Sequence, residues 1–194
     1  MLFMKIIDNF FSDTQFSKLI NSLETEIKDK KCELYYYGQT HAPNELQFDE
    51  TEHEGLEHCR YYRLIGDTLT ITLQALHEQG IITEEGLKAK DCMLKYHANR
   101  APYRAKFHKD GLYEQGSKLD YIGMTVFLND WEIEDGGLFI YKENAGDTVG
   151  TFIQPKKNRI IINPLDLPHA VTQILNPLVV RKSLQFFINV EHLM

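Results

Sequence analysis

His108, Lys109 and Asp110 set an imidazole and a carboxylate two residues apart. In an extended strand residues i and i+2 point to the same face, so the pair can converge on one metal ion. Taken alone the motif is weak, because eight histidines and 28 acidic residues make it by chance. A third ligand must come from another strand. His169 is the candidate, since it follows Pro168 and begins a strand-like run over 170–174. By itself it also reads as a loop histidine beside a turn. His41, His53, His58, His77, His97 and His192 have no matching carboxylate context and read as structural or surface residues.

Two histidines and one carboxylate on one face of a divalent ion leave the opposite face open, the facial triad of non-haem Fe(II) oxygenases. The last strand-like run adds a cation. Arg181, Ser183, Gln185 and Phe187 share one face of it; Lys182, Leu184, Phe186 and Ile188 share the other. The second set is apolar after Lys182 and can pack against helices. An arginine facing a dry interior needs an anionic partner. A small dicarboxylate fits, since a guanidinium grips a carboxylate in bidentate fashion. One of the chain's own acids is the alternative.

These residues need a scaffold of 194 residues and 22.6 kDa, enough for one domain with its own core. Ser12 followed by Gln15 predicts a capping box, and Phe16, Leu19, Ile20, Leu23 and Ile27 recur at helical spacing. A short strand is expected over 5–8. A second helix is expected over 56–79, with Tyr62, Ile65, Leu69, Leu73 and Leu76 on one face and Gly80 as its stop. Between Cys32 and Cys59 there is no Lys or Arg but many acids, which reads as a solvated loop or as a lid over substrate. Beyond residue 90, strand-like runs at 92–96, 121–128, 138–141, 148–153, 159–162, 170–174 and 179–190 follow one another with turn residues between them. Many short strands without intervening helices predict a mainly β sandwich or jelly roll, with N-terminal helices on one outer face. No apolar run approaches the ~18 residues of a membrane span. Three cysteines without a CxxC pair, and no signal-peptide pattern, give a reducing cytoplasm as the expected location. A net charge of −7 argues against a general nucleic-acid binder.

Order and spacing together resemble the iron- and 2-oxoglutarate-dependent dioxygenase superfamily, and within it the prolyl 4-hydroxylase-like branch. That pattern is His-x-Asp, a distal histidine about sixty residues on, and a basic residue shortly after, here Arg181. Phe127-Leu128-Asn129-Asp130-Trp131 resembles the family's Tyr-Leu-Asn strand end. Asp135-Gly136-Gly137-Leu138-Phe139 resembles its Gly-Gly turn, the stretch 155–162 its strand before the distal histidine, and 6–12 the opening of such domains. The resemblance implies one domain over 1–194, with helical support and a loop over 1–90 and a double-stranded β-helix core over 91–194. It implies Fe(II) held by His108, Asp110 and His169. It implies the far (C5) carboxylate of 2-oxoglutarate held by Arg181 with Ser183, and Tyr96 lining that pocket. Dioxygen is the second co-substrate and ascorbate a candidate reductant. The implied reaction couples decarboxylation of 2-oxoglutarate, to succinate and carbon dioxide, with hydroxylation of a substrate C–H. Retention of Asp110 favours hydroxylation over halogenation.

Two departures stand out. Phe127 replaces a tyrosine of many relatives, which leaves Tyr96, Tyr121, Thr125 or Ser183 to supply that hydrogen bond, or none. Asn158 replaces the glycine of a Pro-x-Gly turn and can take its conformation. A peptidyl-prolyl or other amino-acid side chain is the first expectation for the substrate, and a free amino acid or small metabolite the second. Arg100, Arg104, Lys106 and Lys109 flank the motif and read as a solvated edge or as an attractor for an anionic group. Nucleic-acid demethylating relatives carry a second arginine where this chain has Phe187. A cupin-like metal-binding module without redox activity is the alternative of another class. The sequence leaves the oligomeric state open.

Overall fold

The computed structural model describes residues 4–29, 33–35, 53–55, 59–109, 113–114, 117–118, 121–144, 146–164 and 167–194. Most of the acidic segment expected as a loop or lid, together with Cys32 and Asp110, lies outside the described residues.

After strand β1 (Lys5–Ile7), Ser12 starts α1 (Asp13–Lys28) as its side chain dictates. Its hydroxyl accepts from the Gln15 backbone N–H at 3.3 Å, while the Gln15 side chain accepts from the Ser12 N–H at 3.0 Å. Phe16, Leu19 and Leu23 form the buried stripe of that helix. Strands β2 (Glu33–Tyr35), β3 (His53–Glu54) and β4 (Arg60–Leu64) precede α2 (Asp67–Glu78).

The helix expected over 56–79 is therefore realised only in its C-terminal part. Tyr62 and Leu64 are strand residues hydrogen-bonded in register to the next strand, and Ile65, which completed the helical stripe, is exposed. Cross-strand pairing there satisfies the backbone better than an extra turn of helix with exposed apolar groups. Gly80 does end the helix, with φ +65° just past the Gln79 cap.

The remaining strands are β5 (Met93–Asn99), β6 (Arg104–His108), β7 (Tyr113–Glu114), β8 (Ser117–Lys118), β9 (Tyr121–Phe127), β10 (Phe139–Tyr141), β11 (Thr151–Ile153), β12 (Ile160–Pro164), β13 (His169–Val171) and β14 (Arg181–Asn189). With β1–β4 they form a large antiparallel sheet ordered β1-β12-β9-β14-β5-β4-β2 and a smaller one ordered β11-β10-β13-β6-β3, while β7 and β8 pair with each other. One face of the large sheet carries Leu94, Val126, Leu184, Phe186 and Ile188, which pack with Leu19, Leu73 and Leu76 of the two helices. Each such side chain contributes about 1.5–3 kcal/mol on full burial.

The other face of the large sheet turns inward. Two apolar clusters lie there: Cys59, Tyr61, Tyr103, Ala105, Trp131 and Ile174 in one, and Phe127, Phe139, Ile153 and Ile161 in the other. This is the mainly β jelly roll with N-terminal helices that the sequence predicts.

Candidate active site

Strand register brings the distant residues together. His169 on β13 stands directly opposite His108 on β6, and their rings lie 4.5 Å apart, centroid to centroid. A register shift follows between His169 and Val171, a bulge of the kind that re-aims side chains beside functional sites. His108 Nδ1 lies 2.8 Å from the Lys106 carbonyl oxygen, and His169 Nδ1 lies 2.9 Å from that of Leu167. A carbonyl only accepts, so each Nδ1 is the donor, which in the neutral ring leaves Nε2 as the acceptor. That tautomer is the one a metal-binding imidazole needs. His169 is buried and stacks on Phe139 at 5.3 Å. Asp110, the third expected ligand, lies outside the described residues.

One cavity joins this pair to Arg181 and Ser183. Its lining also includes His97, Asn99, Thr125, Asn163 and Gln185. Arg181 sits at the start of β14, which is hydrogen-bonded on both sides, to β9 and β5. Asn129 brackets it: its Oδ1 accepts from the Lys182 N–H at 2.9 Å and its Nδ2 donates to the Val180 carbonyl at 3.2 Å. The guanidinium lies over the Phe127 ring, 5.0 Å from its centroid.

Beneath its stem the chain turns at Gly136 and Gly137, with φ +71° and +60°. A Cβ at Gly136 would collide with the Gln173 carbonyl oxygen, and one at Gly137 would crowd Ile174 and the Arg181 Cδ. The turn admits only glycine without displacing the arginine.

Arg181 is only 4% exposed, and burial pushes its guanidinium below the ordinary value, against a smaller opposing effect of Tyr103 and Tyr61. Among the described residues it forms no ion pair, and its buried Nε has no hydrogen-bond partner. The same holds for the buried Asn99 Oδ1 and Asn163 Nδ2, which line the same cavity. Burying such groups unmade costs about 1–3 kcal/mol each, and more for a charge. The cavity is therefore polarised for an anionic ligand at its Arg181 end. Two histidines in the metal-binding tautomer and an arginine without an anionic partner among the described residues suit a divalent metal together with a dicarboxylate.

Tyr96 is a correction. It lies on the opposite face of β5, stacked on Tyr62 at 6.1 Å within the core against the helices, and burial pushes its hydroxyl up to about 12. Strand periodicity gives the cavity to its neighbours His97 and Asn99 instead. His97, expected as a structural or surface residue, is thus a cavity residue, with its ring edge against Tyr61 at 4.7 Å. The signal was present in β5, where Lys95, His97 and Asn99 alternate with Leu94, Tyr96 and Ala98.

Of the hydroxyls that could replace the one lost at Phe127, Thr125 and Ser183 line the cavity. Asn158 takes the left-handed turn at φ +61°, and its side chain bonds both the N–H and the carbonyl of Phe11. In the basic cluster, Arg104 forms a two-pronged bond to Glu54 at 2.7 and 2.8 Å, and Lys106 lies 3.4 Å from the same carboxylate. These two sit on a solvated edge.

No family model and no curated protein matches the chain by sequence. Solved structures match it by shape. A prolyl 4-hydroxylase from Pseudomonas putida superposes with a TM-score of 0.67 at 13% identity, over 96% of this chain and 91% of that one. This chain has the double-stranded β-helix fold of the 2-oxoglutarate oxygenases. A prolyl hydroxylase from Trichoplax adhaerens, in complex with a hypoxia inducible factor oxygen degradation domain peptide fragment, shares that double-stranded β-helix with a TM-score of 0.62 and 13% identity, over 97% and 84%. HygX from Streptomyces hygroscopicus, with nickel, 2-oxoglutarate and hygromycin B bound, shares it with a TM-score of 0.59 and 11% identity, over 95% and 81%. Within this fold the two ligand-bound structures differ in what they hold, a peptide fragment in one and hygromycin B in the other.

Proposed function

We propose that the chain is an Fe(II)- and 2-oxoglutarate-dependent dioxygenase that hydroxylates an unactivated C–H bond, first of all in a prolyl or other amino-acid side chain of a peptide. His108, Asp110 and His169 hold the metal, and Arg181 with Ser183 holds the far carboxylate of the co-substrate. The observation that carries this is the buried Arg181, without an ion-pair partner among the described residues, facing the same cavity as two histidines whose Nδ1 atoms are each tied to a backbone carbonyl.

When bound, iron and 2-oxoglutarate supply the dioxygen-derived oxidant, so that substrate C–H, dioxygen and 2-oxoglutarate become C–OH, succinate and carbon dioxide. The protein's own work is to bind and orient. The backbone carbonyls of Lys106 and Leu167 fix the imidazole tautomers. Phe127 lies against the guanidinium, Asn129 holds the backbone on either side of Arg181, and the apolar clusters on either side limit water at the reacting centre. The peptide-bound structure supports a peptide substrate, and the hygromycin B-bound structure keeps a small metabolite as the second reading.

Adding Fe(II) and 2-oxoglutarate without oxygen should give a weak visible charge-transfer band. With oxygen, succinate release should respond to one member of a panel of proline-containing peptides, free amino acids and small metabolites. Absence of both the band and any succinate would leave a non-redox, cupin-like module as the better account.

A further inference from the structure

Asn99 is 1% exposed, lines the cavity and presents a carboxamide oxygen with no partner among the described residues. It stands directly opposite Arg181 across the β14–β5 pair. Side chains of such a pair share one face and lie about 4.5–5.5 Å apart at Cβ. A buried carboxamide without a protein partner costs stability that a valine or leucine at the same place would not. Arg181, beside it, carries the same kind of unmet demand.

On the other flank of β14, Phe127 has no hydroxyl to offer, and its ring is occupied with the guanidinium. Directly opposite Arg181, β5 therefore offers a neutral hydrogen-bond donor, in addition to the Ser183 hydroxyl of β14. A carboxamide turns about its last bond to present either the oxygen or the NH2 group. With the NH2 turned inward, Asn99 and Arg181 offer donors to both oxygens of one carboxylate.

We propose that Asn99 is a further ligand of the co-substrate's far carboxylate, acting with Arg181 and Ser183 and fixing the preference for a five-carbon dicarboxylate. This rests on the function proposed above. His97, two pairs further along on the same face and opposite Ser183, forms the side wall against Tyr61.

Full-length protein loaded with Zn(II), which is redox-inert, is titrated with 2-oxoglutarate and separately with pyruvate. Binding is followed by the fluorescence of Trp131, the one tryptophan of the chain, which packs in the cluster beside Gly137. Pyruvate keeps the 2-oxo acid end and lacks the far carboxylate. Asn99→Ala should weaken 2-oxoglutarate by roughly tenfold to a hundredfold and leave pyruvate unchanged, the size expected for a hydrogen bond to a charged group. Asn99→Asp keeps the shape but sets a carboxylate against a carboxylate. It should lose more than Asn99→Ala, and it carries the test if the alanine variant does not fold.

Equal 2-oxoglutarate affinity in parent and variants would overturn the proposal. So would an equal loss for both ligands, which would mark a distorted cavity. A parent protein that binds pyruvate and 2-oxoglutarate equally would overturn it as well. A parent that binds neither would instead reject the co-substrate role of the whole cavity.

Discussion

Arg181 sits in a cavity that otherwise leaves it without a counter-charge among the described residues, so its replacement separates two roles cleanly. As a co-substrate anchor, Arg181→Ala raises the KM for 2-oxoglutarate by roughly tenfold to several hundredfold, from a charge-assisted bond of ~1.5–3 kcal/mol and its second prong. Arg181→Lys recovers part of this, because lysine keeps the charge and loses the fork. As a structural cation it would lower the melting temperature and leave KM unchanged. Measuring both on one preparation decides. At the metal end, His108→Ala and His169→Ala should each abolish succinate release with added Fe(II) while the fold persists by circular dichroism. Full activity in either variant sinks the ligand assignment. The fold should survive because His108 is partly exposed and His169 faces the polar cavity, so neither substitution opens the helix-side core.

At the scale of elements, the two helices are joined by a cap that comes from the wrong helix. Gly66, the N-cap of α2, has no side chain to offer, and Glu26 of α1 does the work instead. Its Oε1 accepts from the Thr68 N–H at 2.8 Å and from the Thr68 hydroxyl at 2.6 Å. A carboxylate at a helix N-terminus also answers the macrodipole. Glu26→Ala should therefore cost at least the ~1–2 kcal/mol of a lost cap, read as a lower urea midpoint, while Glu26→Gln keeps the acceptor and loses less. Equal losses in the two variants would show that charge, not the acceptor, matters. Gly66 is small for the same reason, since a Cβ there would press on the Glu26 carboxylate at 2.9 Å. The Gly136–Gly137 turn is the stricter case. Gly136→Ala combines a left-handed backbone with a collision against backbone oxygen, and it should lower the melting temperature more than Gly66→Ala, whose neighbour is a movable side chain.

For the molecule as a whole, the N-terminal segment is held to the sandwich by Asp8, which meets Arg159 at 2.6 and 3.0 Å and Lys156 at 3.0 Å. Hydrogen bonds from Arg159 and then Lys156 hold the Asp8 carboxyl down to about 2, against 3.8 ordinarily. A lowered folded-state value means stability that is fully present above the ordinary value and is lost as pH falls through the window from about 4 to about 2. Asp8→Asn should flatten that part of the acid-unfolding curve without affecting it at neutral pH beyond the pair's own loss. Because the carboxylate is partly exposed, added salt should shrink the difference. A salt-independent difference, or an unchanged acid limb, would remove Asp8 from the account.

The sequence by itself determined the capping of α1, the helix end at Gly80, the Asn158 turn and the two-sidedness of β14, because caps, turns and strand periodicity are local. Leu184, Phe186 and Ile188 had to share a face, and Arg181 and Ser183 the other, whatever lay opposite. Local pattern also misled. The residues 60–64 fit a helical stripe by chance, and only their pairing with β5 makes them a strand. In β5 the alternation of Lys95, His97 and Asn99 with Leu94, Tyr96 and Ala98 is plain, yet it reads as a water-facing side and a core side. Both sides are interior here, one against helices and one around a polar cavity, so the aromatic residue took the core and the polar ones took the site. Only the tertiary structure decided that His108 stands opposite His169 and Asn99 opposite Arg181. Cross-strand register is set by pairing between segments far apart in the chain. No local propensity encodes it.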